Sequence, residues 1–288
     1  MQRSIVLLLF VFCLLAAPLL AQTTIGGGTC NSGSLTGTYS VSLTGRQAPS
    51  GTLTGVFQSN GAATFDGLSA VTINLTANTG QALGTALTWS GTYSLQANCA
   101  GVINIAGGAT ATFNVAVYNQ GTDFILSGRD TNNYTYAGSG NVQPAACPVG
   151  LVPGVYTFSG TGFALSGNAV SGVENGSGLI QFDGVSHVTV NATLLSLGVS
   201  PRVLTLTGTY AMSAACLGSA TLTDAGNNSY SLSFSIYNVS SASAGATVGL
   251  AQAGKFLVTG SAHVAYGQPS ATAAAKPELI PGNRGGRA

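Results

Sequence analysis

The chain has 288 residues and little charge: 5% are Asp, Glu, Lys or Arg, the formal net charge is +1, and 45% are hydrophobic. Disordered chains combine low hydrophobicity with high charge, so this sequence is expected to fold. It has no basic face for phosphate backbones, which leaves nucleic-acid binding without support. Beyond the first 25 residues Gly, Ser, Thr, Asn and Val dominate and Lys, Glu and Arg are scarce. Helices use straight-chain residues on their wet face, whereas strands favour Thr, Val, Ile and Tyr, so the composition reads all-β.

In chain order, the first segment, residues 1–21, reads as a secretion signal. Arg3 supplies the positive start, Ile5 to Leu15 the apolar stretch, and Leu19-Leu20-Ala21 the cleavage site before Gln22. The apolar stretch is short for a membrane span of about 20 residues, and Pro18 interrupts it. Cys13 lies inside it, away from any lipid-attachment site. Without Arg3 the chain carries seven basic and seven acidic residues, so its solubility rests on hydroxyl and amide groups. No later stretch is long enough for a membrane helix. The expected location is secreted or otherwise extracytoplasmic.

Two tandem copies follow. GTYSLQANC at 91–99 returns as GTYAMSAAC at 208–216, an offset of 117. The same offset carries Cys30 onto Cys147, Cys99 onto Cys216, Gly37 and Tyr39 onto Gly154 and Tyr156, and Phe65-Asp66-Gly67 onto Phe182-Asp183-Gly184. It then slips to 119 at Tyr118-Asn119 against Tyr237-Asn238, and to 122 at Gly138-Ser139 against Gly260-Ser261. The copies span 30–146 and 147–269. Four cysteines allow three pairings, and the repeat favours Cys30–Cys99 with Cys147–Cys216, since equal units close equal bridges. No C-x-x-C spacing and no neighbouring histidine suggest a metal site.

Within copy one, Tyr39, Val41 and Leu43 share a face, as do Val71, Ile73 and Leu75, then Leu87, Trp89, Tyr93 and Leu95, then Phe113, Val115 and Val117. This period-two alternation marks half-buried strands. QSNGA, Asp66-Gly67, ANTGQ, NCAG, AGG and NQG read as turns between them. Seven or eight strands per copy in meander order predict two tandem antiparallel up-and-down β-barrels of about eight strands each. Two β-sandwiches are the alternative, but a sandwich needs a longer crossing connection. The QANC turn would pin the segment that enters the first strand.

The order GTYSV, GTLTG, FDG, GTYSL, Cys-x-Gly resembles Gly/Thr-rich secreted bacterial domains of the calycin-like and allene-oxide-cyclase-like barrel type, over residues 30–269. The resemblance implies small barrels and an apolar pocket, and names no ligand. Residues 270–288 lack alternation and contain Pro277 and Pro281, so they read as a flexible tail.

No catalytic residue, cofactor site or metal site emerges. His187 aligns with Ala70 and His263 with Asn141, so neither belongs to the shared design. Ser186 and His187, as strand neighbours, would face opposite ways. Asp66 and Asp183 recur, but each precedes Gly and reads as turn chemistry. Arg46, Arg129 and Arg202 have no counterparts, and Arg129 with Asp130 reads as a loop pair. Sequons such as Asn74-Leu75-Thr76 and Asn191-Ala192-Thr193 matter only where the host glycosylates.

The leading expectation is a non-enzymatic secreted protein that binds an apolar small molecule or a cell-envelope component. Its rivals are a structural or adhesive envelope module, a cofactor-free isomerase or cyclase, and an outer-membrane barrel.

Overall fold

The computed structural model describes residues 29–48, 53–80, 82–107, 110–145, 147, 153–167, 169–237 and 245–264. Residues 1–21, read above as a secretion signal, and 270–288, read as a tail, lie outside them. In copy one the alternating segments become β1 (Thr36–Gln47), β2 (Gly55–Asp66), β3 (Ala70–Thr79), β4 (Thr85–Leu95), β5 (Ala100–Ala106), β6 (Ala111–Tyr118), β7 (Asp123–Asp130) and β8 (Tyr134–Val142). Copy two supplies β9 (Gly154–Ser166), β10 (Ala169–Phe182), β11 (His187–Ser196), β12 (Arg202–Met212), β13 (Leu217–Thr223), β14 (Ser229–Tyr237), β15 (Gly245–Gln252) and β16 (Phe256–Val264). Each strand pairs antiparallel with the next. β8 closes on β1 and β16 closes on β9, giving two closed up-and-down barrels of eight strands. Closure leaves no sheet edge.

One face of every strand points inward. Near the disulfide end of the first barrel, Phe65 sits among Tyr39, Tyr93 and Phe124, with ring centroids 5.5, 5.0 and 5.7 Å away. The second barrel repeats this hub with Phe182 among Tyr156, Tyr210 and Phe234, at 5.8, 4.9 and 5.1 Å. Most outward positions of β3, β4 and β11 carry Thr, Ser or Asn, the inverse of a membrane-spanning barrel and its apolar outer band. Among the described residues no helix is long and apolar enough to cross a membrane.

The run QSNGA is the one turn signal that misleads. Gln58 to Ala62 form the middle of β2, and all are buried. Gly61 is required there because a Cβ would lie 2.0 Å from the Asn74 carbonyl on β3. Gln58 and Asn60 point outward and are covered by the second barrel. Gln58 Nε2 donates to the Thr161 carbonyl at 3.2 Å, and Ser233 Oγ donates to Asn60 Oδ1 at 2.6 Å. Ser40 Oγ donates to the Ser235 carbonyl at 3.0 Å and lies 3.1 Å from Thr247 Oγ1, while Gln143 Nε2 donates to Ser235 Oγ at 2.8 Å. Each such bond contributes about 1 kcal/mol net. Beside this polar strip, Val56 enters an apolar cluster of Phe163, Leu165, Ala251 and Leu257. The barrels therefore share one contact, β1 and β2 against β14, β15, β16 and the neighbouring part of β9.

Cys30 precedes β1 and lies 4.9 Å, Cα to Cα, from its bonded partner Cys99 in the β4–β5 turn; Cys147 and Cys216 are bonded at 5.1 Å. Cys99 and Cys216 both adopt the left-handed backbone region, at φ 64° and 59°. Their carbonyls accept from Val117 and Ile236 N–H at 2.9 and 3.0 Å. Tyr93, from the repeated Gly-Thr-Tyr, secures the same corner: its hydroxyl lies 2.9 and 2.8 Å from the Ser32 and Leu35 carbonyls. Replacing Cys30 and Cys99 by alanine is expected to cost about 4 kcal/mol, since each bridge closes a 69-residue loop. Trp89, the chain's one tryptophan, sits inside the first barrel, so urea unfolding followed by its fluorescence measures that loss.

Candidate functional site

The recurring aspartates cap their turns. Asp66 Oδ1 accepts the N–H groups of Leu68, Ser69 and Ala70 at 2.8, 2.8 and 2.9 Å. Asp183 Oδ1 does the same for Val185, Ser186 and His187 at 2.8, 2.8 and 2.9 Å. These donors, with the Val185 N–H foremost, hold the Asp183 carboxyl well below the usual carboxylate range. Ser186 lies in the turn and β11 begins at His187, so the two do not face opposite ways: Ser186 Oγ is 3.4 Å from His187 Nδ1. Asp183 Oδ2 is 3.0 Å from the same nitrogen. A serine nucleophile needs its base nitrogen opposite the one that the carboxylate holds. Both groups meet Nδ1, so this cluster does not form a proton relay.

Because the folded Asp183 carboxyl is depressed, its stabilising contribution is complete above the unfolded value of 3.8 and is lost as pH falls below it. Asp183→Asn keeps an oxygen acceptor for the turn and removes the titration. Urea unfolding measured from about pH 5 down to about pH 2 should show a shallower loss of stability in the variant than in the parent.

The two barrels differ most at the end away from the disulfides. In the first, Trp89 stacks with Phe57 and Phe113 at 6.1 and 6.2 Å. In the second, Glu174 takes the place of Phe57 and Leu206 that of Trp89. Glu174 is fully buried, accepts from Ser196 Oγ, and is paired with Arg202 Nη2 at 2.9 Å. The Arg202 guanidinium also lies 5.1 Å from the Phe256 ring. The sequence hides this pair because its aromatic counterpart is uncharged. Arg202→Ala would leave a buried carboxylate without its cation and should cost about 3 kcal/mol by urea unfolding. Arg129→Ala removes one exposed hydrogen bond and should cost less than about 0.5 kcal/mol.

Arg129 and Asp130, expected to pair, bond elsewhere. Arg129 donates to Asn133 Oδ1, while Asp130 accepts from Tyr136 hydroxyl at 2.8 Å and Tyr134 N–H at 2.9 Å. Arg129 thereby faces Arg46 across a cleft of about 270 Å³ lined also by Ala48, Asn133 and Thr135. Among the described residues neither arginine has an acidic partner; the Arg46 guanidinium lies 5.3 Å from the Phe163 ring. The cleft adjoins a groove of about 510 Å³ between the barrels, lined by Ser42, Thr44, Thr135, Thr161 and Thr259, with Arg46 common to both. Thr259 Oγ1 is buried there without a hydrogen-bond partner. In the second barrel the counterparts of Arg46, Ala48 and Arg129 are Phe163, Leu165 and Ala251, the apolar cluster that receives Val56. Copy one thus turns a packing site into a cationic one.

The void inside the second barrel is about 10 Å³, beside Ala246 where copy one has Phe124, and is too small for a ligand. Among the described residues no three His, Cys, Asp or Glu side chains are grouped to hold a metal.

No protein family and no curated protein matches the chain. Among solved structures it is similar to isotype 1 transferrin binding protein B from serogroup B Neisseria meningitidis: 10% identity, 81% of this chain and 77% of that one, TM-score 0.25. It is also similar to an AttH candidate from Nitrosomonas europaea: 10% identity, 86% and 100% coverage, TM-score 0.25. Scores this low carry no functional argument.

Proposed function

We propose that the chain is exported, with residues 1–21 as its signal and 30–146 and 147–269 as its two units, and acts as a non-catalytic binding module of the cell envelope. Its recognition surface is the Arg46–Arg129 cleft with the adjoining groove, and its ligand is an acidic, hydroxyl-rich polysaccharide. The observation that carries this reading is the pair of arginines standing where the sister barrel has Phe163 and Ala251. In a chain with 5% charged residues, two guanidinium groups without an acid between them supply donors matched to carboxylates. The groove hydroxyls, Thr259 Oγ1 among them, suit sugar hydroxyls.

The two disulfides fit an oxidising compartment. The resemblance to calycin-like barrels supports export and barrel form, but the pocket it implies has no counterpart in the filled second barrel. An apolar ligand, or an isomerase substrate, would have to displace core rings. Calorimetric titration of the folded protein with a polyuronate and with neutral dextran tests the reading. Binding should be confined to the polyuronate, and Arg46→Ala with Arg129→Ala should weaken it about tenfold or more. Equal binding of dextran, or no change in the double variant, would overturn it.

A further inference from the structure

The contact between the barrels is heterologous: copy one offers its β1–β2 side, and copy two offers mainly β14 to β16 with the neighbouring part of β9. Each barrel also owns a counterpart of the other's half of that contact; β9 and the near end of β10 are partly engaged in the existing junction, while the outward positions of β10–β11 and of β6–β7 named below are exposed. In β2 every residue from Val56 to Ala63 is buried, whereas its counterpart β10 alternates buried and solvent-facing positions from Val173 to Phe182. β14 is buried without a break from Leu232 to Tyr237 and β15 from Gly245 to Ala251, while β6 and β7 alternate. The chain therefore carries one occupied junction and one largely unoccupied copy of each of its sides.

The unoccupied sides are not polar surfaces. Val173, Leu179 and Leu195 stand at the positions of the buried Val56, Ala62 and Asn78. Ile125 and Tyr118 stand at those of the buried Thr247 and Tyr237. All five are between 37% and 54% exposed. Their chemistry is also matched across the two sides. The bond from Ser233 to Asn60 has its counterpart in Asn114 and Ser177, with the roles exchanged. The contact of Ser40 with Thr247 and Ser235 becomes Thr157 and neighbouring Leu179 against Ile125 and Ala116, an apolar version of the same footprint. At the loop end Arg46 and Arg129 replace Phe163 and Ala251, so Val173 and Leu195, which lie at that end, fall outside the footprint, and the contact is carried by the half of the face nearer the disulfide, around Leu179 on one side and Ile125 and Tyr118 on the other.

We propose that the protein associates with further copies of itself head to tail, the β10–β11 side of one chain seating on the β6–β7 side of the next. A repeated heterologous contact does not close on two subunits; it grows into a ring or an open row.

Leu179→Glu and Ile125→Glu each place a charge at one side of the junction only. Both positions are exposed, and Trp89 fluorescence with far-ultraviolet circular dichroism verifies that the variants fold. In analytical ultracentrifugation the parent should show mass rising with concentration beyond two chains, and each variant alone should sediment as a monomer. An equimolar mixture of the two should form a dimer and stop there, because each variant retains the side that its partner lacks. A parent monomeric at its highest soluble concentration, a variant that still assembles alone, or a mixture that stays monomeric would overturn the proposal.

Discussion

Side chains on a strand alternate between the two faces of a sheet, and closing the sheet turns one face permanently inward. The inner face is then buried in every strand, whatever surrounds the barrel. Whether the outer face is buried as well depends only on what lies against it. Continuous burial along β2, β14 and β15 is therefore the imprint of the neighbouring barrel, and the plain alternation of β10, β6 and β7 shows strands without one. Most of what distinguishes the two copies follows from this difference in surroundings.

The copies agree where each is tied down and disagree at the opposite end. Around the disulfide they share a Tyr–Phe–Tyr hub, the Asp-capped turn and the left-handed cysteine. At the far end one barrel is stoppered by Phe57, Trp89, Phe113 and Tyr136, and the other by the buried Glu174 paired with a partly exposed Arg202 beside an aromatic ring. Both arrangements fill the barrel. The aromatic one needs no compensating charge, while the ionic one depends on Glu174 and Arg202 remaining together.

The strands, their eightfold meander and the twofold repeat were legible because each leaves a periodic trace: Tyr39, Val41 and Leu43, or Val71, Ile73 and Leu75, recur at every second residue. The two cysteine pairs at bonding distance, each spanning 69 residues, are related to one another by the 117-residue offset. What stayed hidden depends on partners far away in sequence. Gln58-Ser59-Asn60-Gly61 imitates a turn because its amides are satisfied by the other barrel, about a hundred residues away or more. The Arg46–Arg129 cleft joins β1 to β7, and no local pattern links them. Glu174 and Arg202 lie 28 residues apart on strands separated by one neighbour. Ser186 looks like a strand residue in the sequence because the Asp183 turn, residues 183–186, is two residues longer than the Asp-Gly pair suggests.

The scarcity of charge has a consequence for encounters between molecules. Most surfaces of this size carry fields that steer or repel a neighbour over a Debye length, about 8 Å at physiological ionic strength. Here the outer walls of Thr, Ser and Asn project almost none, so approaching copies meet without long-range guidance and are sorted only on touching. Dissolved electrolyte would leave such meetings nearly unchanged, whereas it would screen a polyanion drawn to the two guanidinium groups.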